Sequence, residues 1–258
     1  MGKSIAVCNQ KGGVGKSTTA VNVGSYLALA GRKTLLIDLD PQGNATTTCG
    51  ISREEASEKD IYQVLVNEFD IEETIRKTKV DGLDIIPASI DLAGAEPYLA
   101  SVDGKESVLR GICEPIKAKY EFVLFDCPPA LGLLTVNALV AADSTIIPVQ
   151  CEYLALEGLS SLMRSVNLVK QRLNPSLRVG GIVLTMADFR ANLAREVADE
   201  VKNYFKEMVF KTSIPRNIRL AESPSFGQPI CLYDPNSTGA LAYRLLTQEV
   251  INKEIFGI

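Results

Sequence analysis

Asn9-Gln10-Lys11-Gly12-Gly13-Val14-Gly15-Lys16-Ser17-Thr18 is the stretch that decides the fold of this chain. An apolar run from Ser4 to Cys8 precedes it, and a run of helical character from Thr19 to Ala30 follows. A strand, a glycine loop and a helix start, in that order, make a cradle for an anion. The glycines let the backbone bend so that successive N–H groups converge, while the unpaired N–H groups and dipole of the new helix favour negative charge. In such a loop, residues 12–18 surround the phosphates, Lys16 reaches the β- and γ-phosphates, and the Ser17 hydroxyl ligates Mg²⁺. The usual spacing has glycine where this chain has Gln10, and it does not ask for Lys11. The loop is therefore a deviant Walker A sequence, with a second ammonium at its mouth that suits a triphosphate.

The remainder of the chain bounds what such a loop can serve. Its 258 residues, 46% of them hydrophobic, suffice for one large α/β domain with a sizeable core. No linker, repeat or low-complexity run divides it. The first residues lack a signal-peptide pattern and no segment approaches the roughly 20 apolar residues of a membrane span, so a cytoplasmic protein is expected. Six cysteines occur without a CxxC pair, which points to reduced buried thiols. Histidine is absent, which removes serine triads, His-based acid–base catalysis and His-ligated zinc. Phosphoryl transfer survives that exclusion, because it depends on positioning, a metal ion and cationic clamps.

The net charge is −4, but it is unevenly spread. Residues 52–121 hold 16 acidic and 9 basic residues, a local −7 that leaves +3 on the remainder. Within 189–220 stand Arg190, Arg195, Lys202, Lys206, Lys211, Arg216 and Arg219 against four acids, so a basic face on an acidic protein is expected.

Apolar runs at Thr34 to Asp38, Leu83 to Ile86, Phe122 to Phe125, Thr145 to Val149 and Val179 to Thr185 predict further strands, with another near Val209 to Thr212. Between them, 107–119, 133–142, 156–173 and 193–205 carry apolar residues at helical spacing. This alternation predicts an α/β fold: a single domain with a mostly parallel twisted sheet and helices on both faces. Ligands of such sheets bind at the carboxyl ends of the strands, where the glycine loop lies. Two other strand ends there carry carboxylates. One runs into Asp38-Leu39-Asp40-Pro41, the other ends in Asp126-Cys127-Pro128-Pro129, a Walker B pattern. Asp126 suits Mg²⁺ held through water and Asp38 can do the same, while Asp40 suits the orientation of an attacking water.

These residues resemble the ParA/Soj chromosome and plasmid partition ATPases, within the wider MinD/ParA group. The resemblance spans almost the whole chain: KGGVGKST, DLDPQGNAT (38–46), DCPP (126–129), PVQCEYLALEGL (148–159), LTMADFRANL (184–193) and SIPRNIRLAESPSFGQP (213–229). It implies ATP and Mg²⁺ as cofactors, a slow ATP hydrolase, and a homodimer formed on ATP. Lys11 resembles the lysine that crosses the dimer to the partner's phosphates. Lys16 and Ser17 match the phosphate lysine and metal hydroxyl, Asp40 the aspartate needed for hydrolysis, and Pro215, Arg216 and Asn217 the adenine-contacting segment. Arg190 and Arg219, with Lys202 and Lys206 in the same basic stretch, are the positions implied for non-specific double-stranded DNA. A ParB-like activator protein is the implied partner, and nucleoid association in the ATP state the implied location.

The chain departs from the family pattern in three places. Ser17 replaces the commoner threonine, Phe226 stands where many relatives have histidine, and Ala191 interrupts an Arg-Thr-Asn sequence. One ParA-type domain over residues 1–258 is expected, without the N-terminal helix-turn-helix extension of larger plasmid ParA proteins. A MinD-like membrane-surface ATPase is the alternative reading, yet the last helical run, 240–256, has balanced charge, and no membrane partner is expected. An iron–sulfur carrier would need paired cysteines at a dimer axis, and the sequence has no such pair.

Overall fold

The computed structural model describes residues 2–66, 69–152 and 155–256. Tyr153 and Leu154, part of the PVQCEYLALEGL block, lie outside the described residues. Seven strands form one sheet: β1 (Lys3–Val7), β2 (Thr34–Asp38), β3 (Arg76–Lys77), β4 (Leu83–Ile86), β5 (Phe122–Asp126), β6 (Ser144–Gln150) and β7 (Arg178–Thr185). Their order is β3-β4-β2-β5-β1-β6-β7, and only the β3–β4 pair is antiparallel.

Alternate residues of each strand face opposite sides, and both sides are covered. Ala6, Leu35, Ile37, Val123 and Phe125 join one core with Leu134, Leu162, Val166 and Val201 from the helices Leu133–Ala141, Ala155–Arg172 and Asn192–Phe205. Ile5, Val7, Leu36, Phe122 and Leu124 join the other with Val23, Leu27, Tyr243 and Leu246 from the helices Lys16–Leu29 and Thr238–Ile251. The central strands are therefore apolar along their whole length until they reach their carboxyl ends, where Asp38 and Asp126 emerge as register partners.

Two sequence expectations are corrected. The helical run expected over 107–119 is an α-helix only at Val108–Cys113, because Pro115 has no N–H to continue the ladder. The strand expected near 209–212 does not form. The chain there touches β7 at isolated bridges, Val209 with Ile182 and, further on, Pro215 with Ala187. The amides of Lys211 and Thr212 donate instead to the Glu249 carboxylate, both at 2.8 Å, which takes them out of any ladder.

Candidate nucleotide site

The glycine loop leaves β1 and is pinned from both flanks. Asn9 donates through Nδ2 to the Pro148 carbonyl of β6 at 2.7 Å and accepts the Lys11 N–H at 3.0 Å. On the other flank the Thr185 hydroxyl at the end of β7 donates to the Val14 carbonyl at 2.8 Å. Gly13 and Gly15 have φ of 75° and 87°, and Gly15 is the cap residue of the helix Lys16–Leu29. Side chains are strained in that region, so the bend depends on glycine at both places.

Lys16 is 6% exposed and donates from Nζ to the Lys11 carbonyl at 3.0 Å. Burial pushes its pKa down, while the carboxylates of Asp126 and Asp40 act in the opposite direction. The ammonium is thus folded back over the loop with a single backbone partner, ready to exchange it for phosphate oxygens.

The three aspartates occupy three different environments. Asp38 is fully buried and its oxygens are taken: Oδ1 accepts the Asp40 N–H at 3.0 Å, and Oδ2 accepts the Thr46 N–H at 2.9 Å and the Thr46 hydroxyl at 2.7 Å. Burial outweighs those bonds and pushes its pKa up to about 6. Asp40 lies further out on the loop, where Oδ1 accepts the Gln42 N–H at 3.0 Å. Asp126 is also fully buried, and neither of its oxygens has a hydrogen-bond partner. Burial and the neighbouring Asp38 raise its pKa well above the ordinary carboxylate range, with the Ser17 hydroxyl and Lys16 opposing.

A bare buried carboxylate beside the Ser17 hydroxyl fits a hydrated divalent cation. No cluster of three or more His, Cys, Asp or Glu suited to a metal occurs among the described residues. The site accordingly suits Mg²⁺ bound mainly through phosphate and water oxygens, with Ser17 and Asp126 as the protein's contribution.

Two adjoining cavities complete the site. One, of about 330 Å³, is walled by Gly12, Gly13, Lys16, Ser17, Asp40 and Pro129. The other, of about 250 Å³, is walled by Thr185, Ile214, Pro215, Arg216, Asn217 and Tyr243. Gly15, Thr18 and Met186 border both. The first holds the polar side chains of Lys16, Ser17 and Asp40, and the second is the more apolar slot, which suits a base. Met186 has φ of 50°, an uncommon conformation for a non-glycine residue, at the junction of the two. Met186 and Tyr243 were not among the expected site residues. Met186 directly follows a strand end, which is a usable signal; Tyr243 comes from the terminal helix, and nothing local in the sequence marks it.

The site is therefore a nucleotide cradle with separate phosphate and base compartments. Residues 2–179 match the protein-family model described as an AAA domain. Over 250 residues the chain is 53% identical to the sporulation initiation inhibitor protein Soj of Bacillus subtilis (strain 168), covering 97% of this chain and 98% of that one. The chain belongs to the ParA/Soj family. It is also 48% identical to the chromosome-partitioning ATPase Soj of Treponema pallidum (strain Nichols), over 98% of this chain and 99% of the relative. Among solved structures, cobyrinic acid a,c-diamide synthase from Mycobacterium smegmatis with bound ATP analogue and magnesium shares the fold at a TM-score of 0.88. It is 34% identical and covers 100% of this chain and 98% of that one.

The remaining basic residues expected at the site are all exposed. Lys11 is exposed at the loop mouth and forms an ion pair with Glu152. Arg190 is held by Asp188, whose oxygens accept Nε and a terminal nitrogen at 2.8 Å each. Arg219 lies between Glu222 at 3.0 Å and Asp234 at 3.4 Å. Lys202 extends over the Phe189 ring beside Arg190, at 5.9 Å from its centroid, and Lys206 is exposed just beyond the same helix. Arg190, Lys202 and Lys206 thus gather around the helix Asn192–Phe205, whereas Arg219 belongs to the separate short helix Ile218–Glu222.

Proposed function

We propose that this chain is a ParA/Soj-type ATPase that binds ATP with Mg²⁺, dimerises on it and, as a dimer, binds DNA without sequence preference during chromosome or plasmid segregation. The observation that carries the reading is the pairing of a bare, buried Asp126 carboxylate with a back-folded Lys16 at one glycine loop. Together they put a buried carboxyl without a hydrogen-bond partner among the described residues, and an ammonium with one exchangeable backbone partner, where a metal-bound polyphosphate would sit.

Each residue then has a role that follows from its place. The amides of residues 12–18 and the Lys16 ammonium would hold the phosphates, and Ser17 and Asp126 would hold the cation. Mg²⁺ when bound neutralises phosphate charge during transfer to water. Asp40, on the loop that walls the phosphate cavity, orients the attacking water. Pro215, Arg216 and Asn217 close the slot around adenine. Lys11, already at the mouth, exchanges Glu152 for the phosphates of a second copy, which makes dimerisation depend on nucleotide. Arg190 and Arg219, with Lys202 and Lys206, serve DNA, and a ParB-like protein accelerates an otherwise slow hydrolysis.

The alternative of a MinD-like membrane-surface protein would use the terminal helix as an amphipathic anchor. Here Ala240, Tyr243, Leu246 and Val250 of that helix are buried in the core, and Glu254 beyond it is buried in an ion pair with Arg178. Those contacts favour a packed helix. No helix among the described residues is long and apolar enough to cross a membrane.

The test is DNA retention by the purified protein with ATP, ADP and no nucleotide at low and moderate salt, using Asp40→Ala to hold the ATP state. Salt-sensitive binding to unrelated sequences, seen only with ATP, is expected. Absence of DNA binding in every state would remove the DNA role while leaving the nucleotide site intact.

A further inference from the structure

The loop that carries Asp40 is a thin wall. On one side, Asp40 and Gln42 border the phosphate cavity. On the other, Gln42 and Gly43 border a separate cavity of about 360 Å³, which Thr46, Thr47, Ala88 and Ser89 also line. Leu39 and Ala45 anchor its two ends in the cores, and between them its hydrogen bonds fix where Asp40 stands.

Some hold Asp40 directly, the Gly43 N–H donating to its carbonyl at 2.8 Å and the Gln42 N–H to its Oδ1 at 3.0 Å; others meet at Thr46. Its N–H and hydroxyl both donate to Asp38 Oδ2, at 2.9 and 2.7 Å, closing the loop on itself. The same hydroxyl oxygen accepts the Ala88 N–H at 2.9 Å, from the chain leaving β4. Asp38 in turn accepts the Asp40 N–H at 3.0 Å. Asp38, Thr46 and Ala88 are all buried, so water offers no replacement for any of these partners. One hydroxyl therefore joins the end of β2 to the exit of β4, and reaches the backbone of Asp40 through the other oxygen of Asp38.

We propose that the Thr46 hydroxyl is the positioning group for Asp40, acting on turnover and not on nucleotide affinity. The inference rests on the hydrolytic role of Asp40 proposed above. Thr46 does not line the phosphate cavity; it helps set where the Asp40 carboxylate stands, and a displacement of about 1 Å at such a group costs on the order of 100-fold in rate.

The experiment compares wild type, Thr46→Val and Thr46→Ser as full chains. It reads ADP affinity, steady-state kcat and KM for ATP, and amide hydrogen exchange without nucleotide. Thr46→Val is expected to lower kcat by about 10- to 100-fold with KM and ADP affinity unchanged. Faster exchange is expected only within 39–47 and 87–90, and Thr46→Ser should restore both kcat and protection. Thr46→Ala removes the hydroxyl without adding a methyl and carries the same expectation if the valine chain does not fold. Wild-type kcat in Thr46→Val, an affinity loss as large as the kcat loss, or no recovery with serine would overturn the proposal. If wild type and Asp40→Ala both lack hydrolysis, the hydrolytic reading fails separately. Exchange then still decides whether Thr46 holds the loop: unchanged protection in Thr46→Val overturns that as well.

Discussion

Asp38 and Asp126 are register partners at the carboxyl ends of adjacent parallel strands, yet one carboxylate is bonded at both oxygens and the other at neither. Asp38 is thus committed to the loop after β2, and on the proposed function Asp126 is the carboxylate left to hold a cation. In the metal-free chain, Asp126 is a buried charge without compensation. A carboxyl whose folded pKa lies above its unfolded value binds more protons when folded, so its contribution is best at low pH and falls as pH rises. For Asp38 that fall begins near 3.8 and is complete above about 6; for Asp126 it extends higher. In EDTA without nucleotide, Asp126→Asn should therefore be more stable than wild type. The gap should widen as pH rises above the ordinary carboxylate range, by at most about 1.4 kcal/mol per pH unit. Denaturant midpoints at rising pH check it, and a constant or shrinking gap contradicts it. Mg²⁺ with ADP should stabilise wild type more than the variant.

Lys16 is held by one backbone carbonyl and no acidic partner within ion-pair distance, so it contributes little to the empty fold and much to the filled one. Lys16→Ala should lower ATP and ADP affinity roughly 10- to 150-fold, the equivalent of about 1.5–3 kcal/mol for a charged hydrogen bond. The melting temperature of the free chain should change little. A fluorescent-nucleotide titration beside a thermal melt separates the two quantities.

Much of this arrangement was legible in the chain. Central strands buried on both faces are read easily because every residue from Thr34 to Asp38 is buried, which leaves β2 no polar alternation. The glycine loop and the two strand-end aspartates depend on local residue types at fixed spacing, which a sequence displays directly. The edge strand β3 was not legible: two charged residues, Arg76 and Lys77, pair with β4 without any hydrophobic signal. Nor was the unequal fate of Asp38 and Asp126, since it depends on Thr46 folding back eight residues later. The failed strand at 209–212 depends on Glu249, a side chain remote in sequence.

Lys11 and Glu152 form an ion pair in which both side chains are substantially exposed, 56% and 35%. Exposed pairs contribute about 0–1 kcal/mol, so this one restrains Lys11 only lightly. Lys11→Ala should retain nucleotide binding by the monomer and lose ATP-dependent dimerisation, measured by sedimentation in the Asp40→Ala background. Glu152→Gln should leave stability within about 1 kcal/mol and dimerise at least as readily as the parent. Loss of monomer nucleotide binding in Lys11→Ala would instead place that lysine within its own chain's phosphate site.

Arg190 and Arg219 each face acidic side chains, so the charge they present to a DNA phosphate is partly cancelled in the free protein. The Arg190 guanidinium holds Asp188 down at a pKa of about 2, so that pairing persists throughout the neutral range. On the proposed DNA role, these arginines would exchange carboxylate partners for phosphates. Asp188→Asn should raise ATP-dependent DNA affinity, because it removes the competitor without touching Arg190. Arg190→Glu and Arg219→Glu should lower DNA affinity and leave ATP binding intact. Each lost phosphate contact should also reduce the slope of log affinity against log salt by about 0.9. A salt titration of DNA retention checks all three variants. If Asp188→Asn leaves both affinity and slope unchanged, Arg190 is a surface charge committed to its neighbour, and the DNA contact must come from Lys202, Lys206 or Arg219.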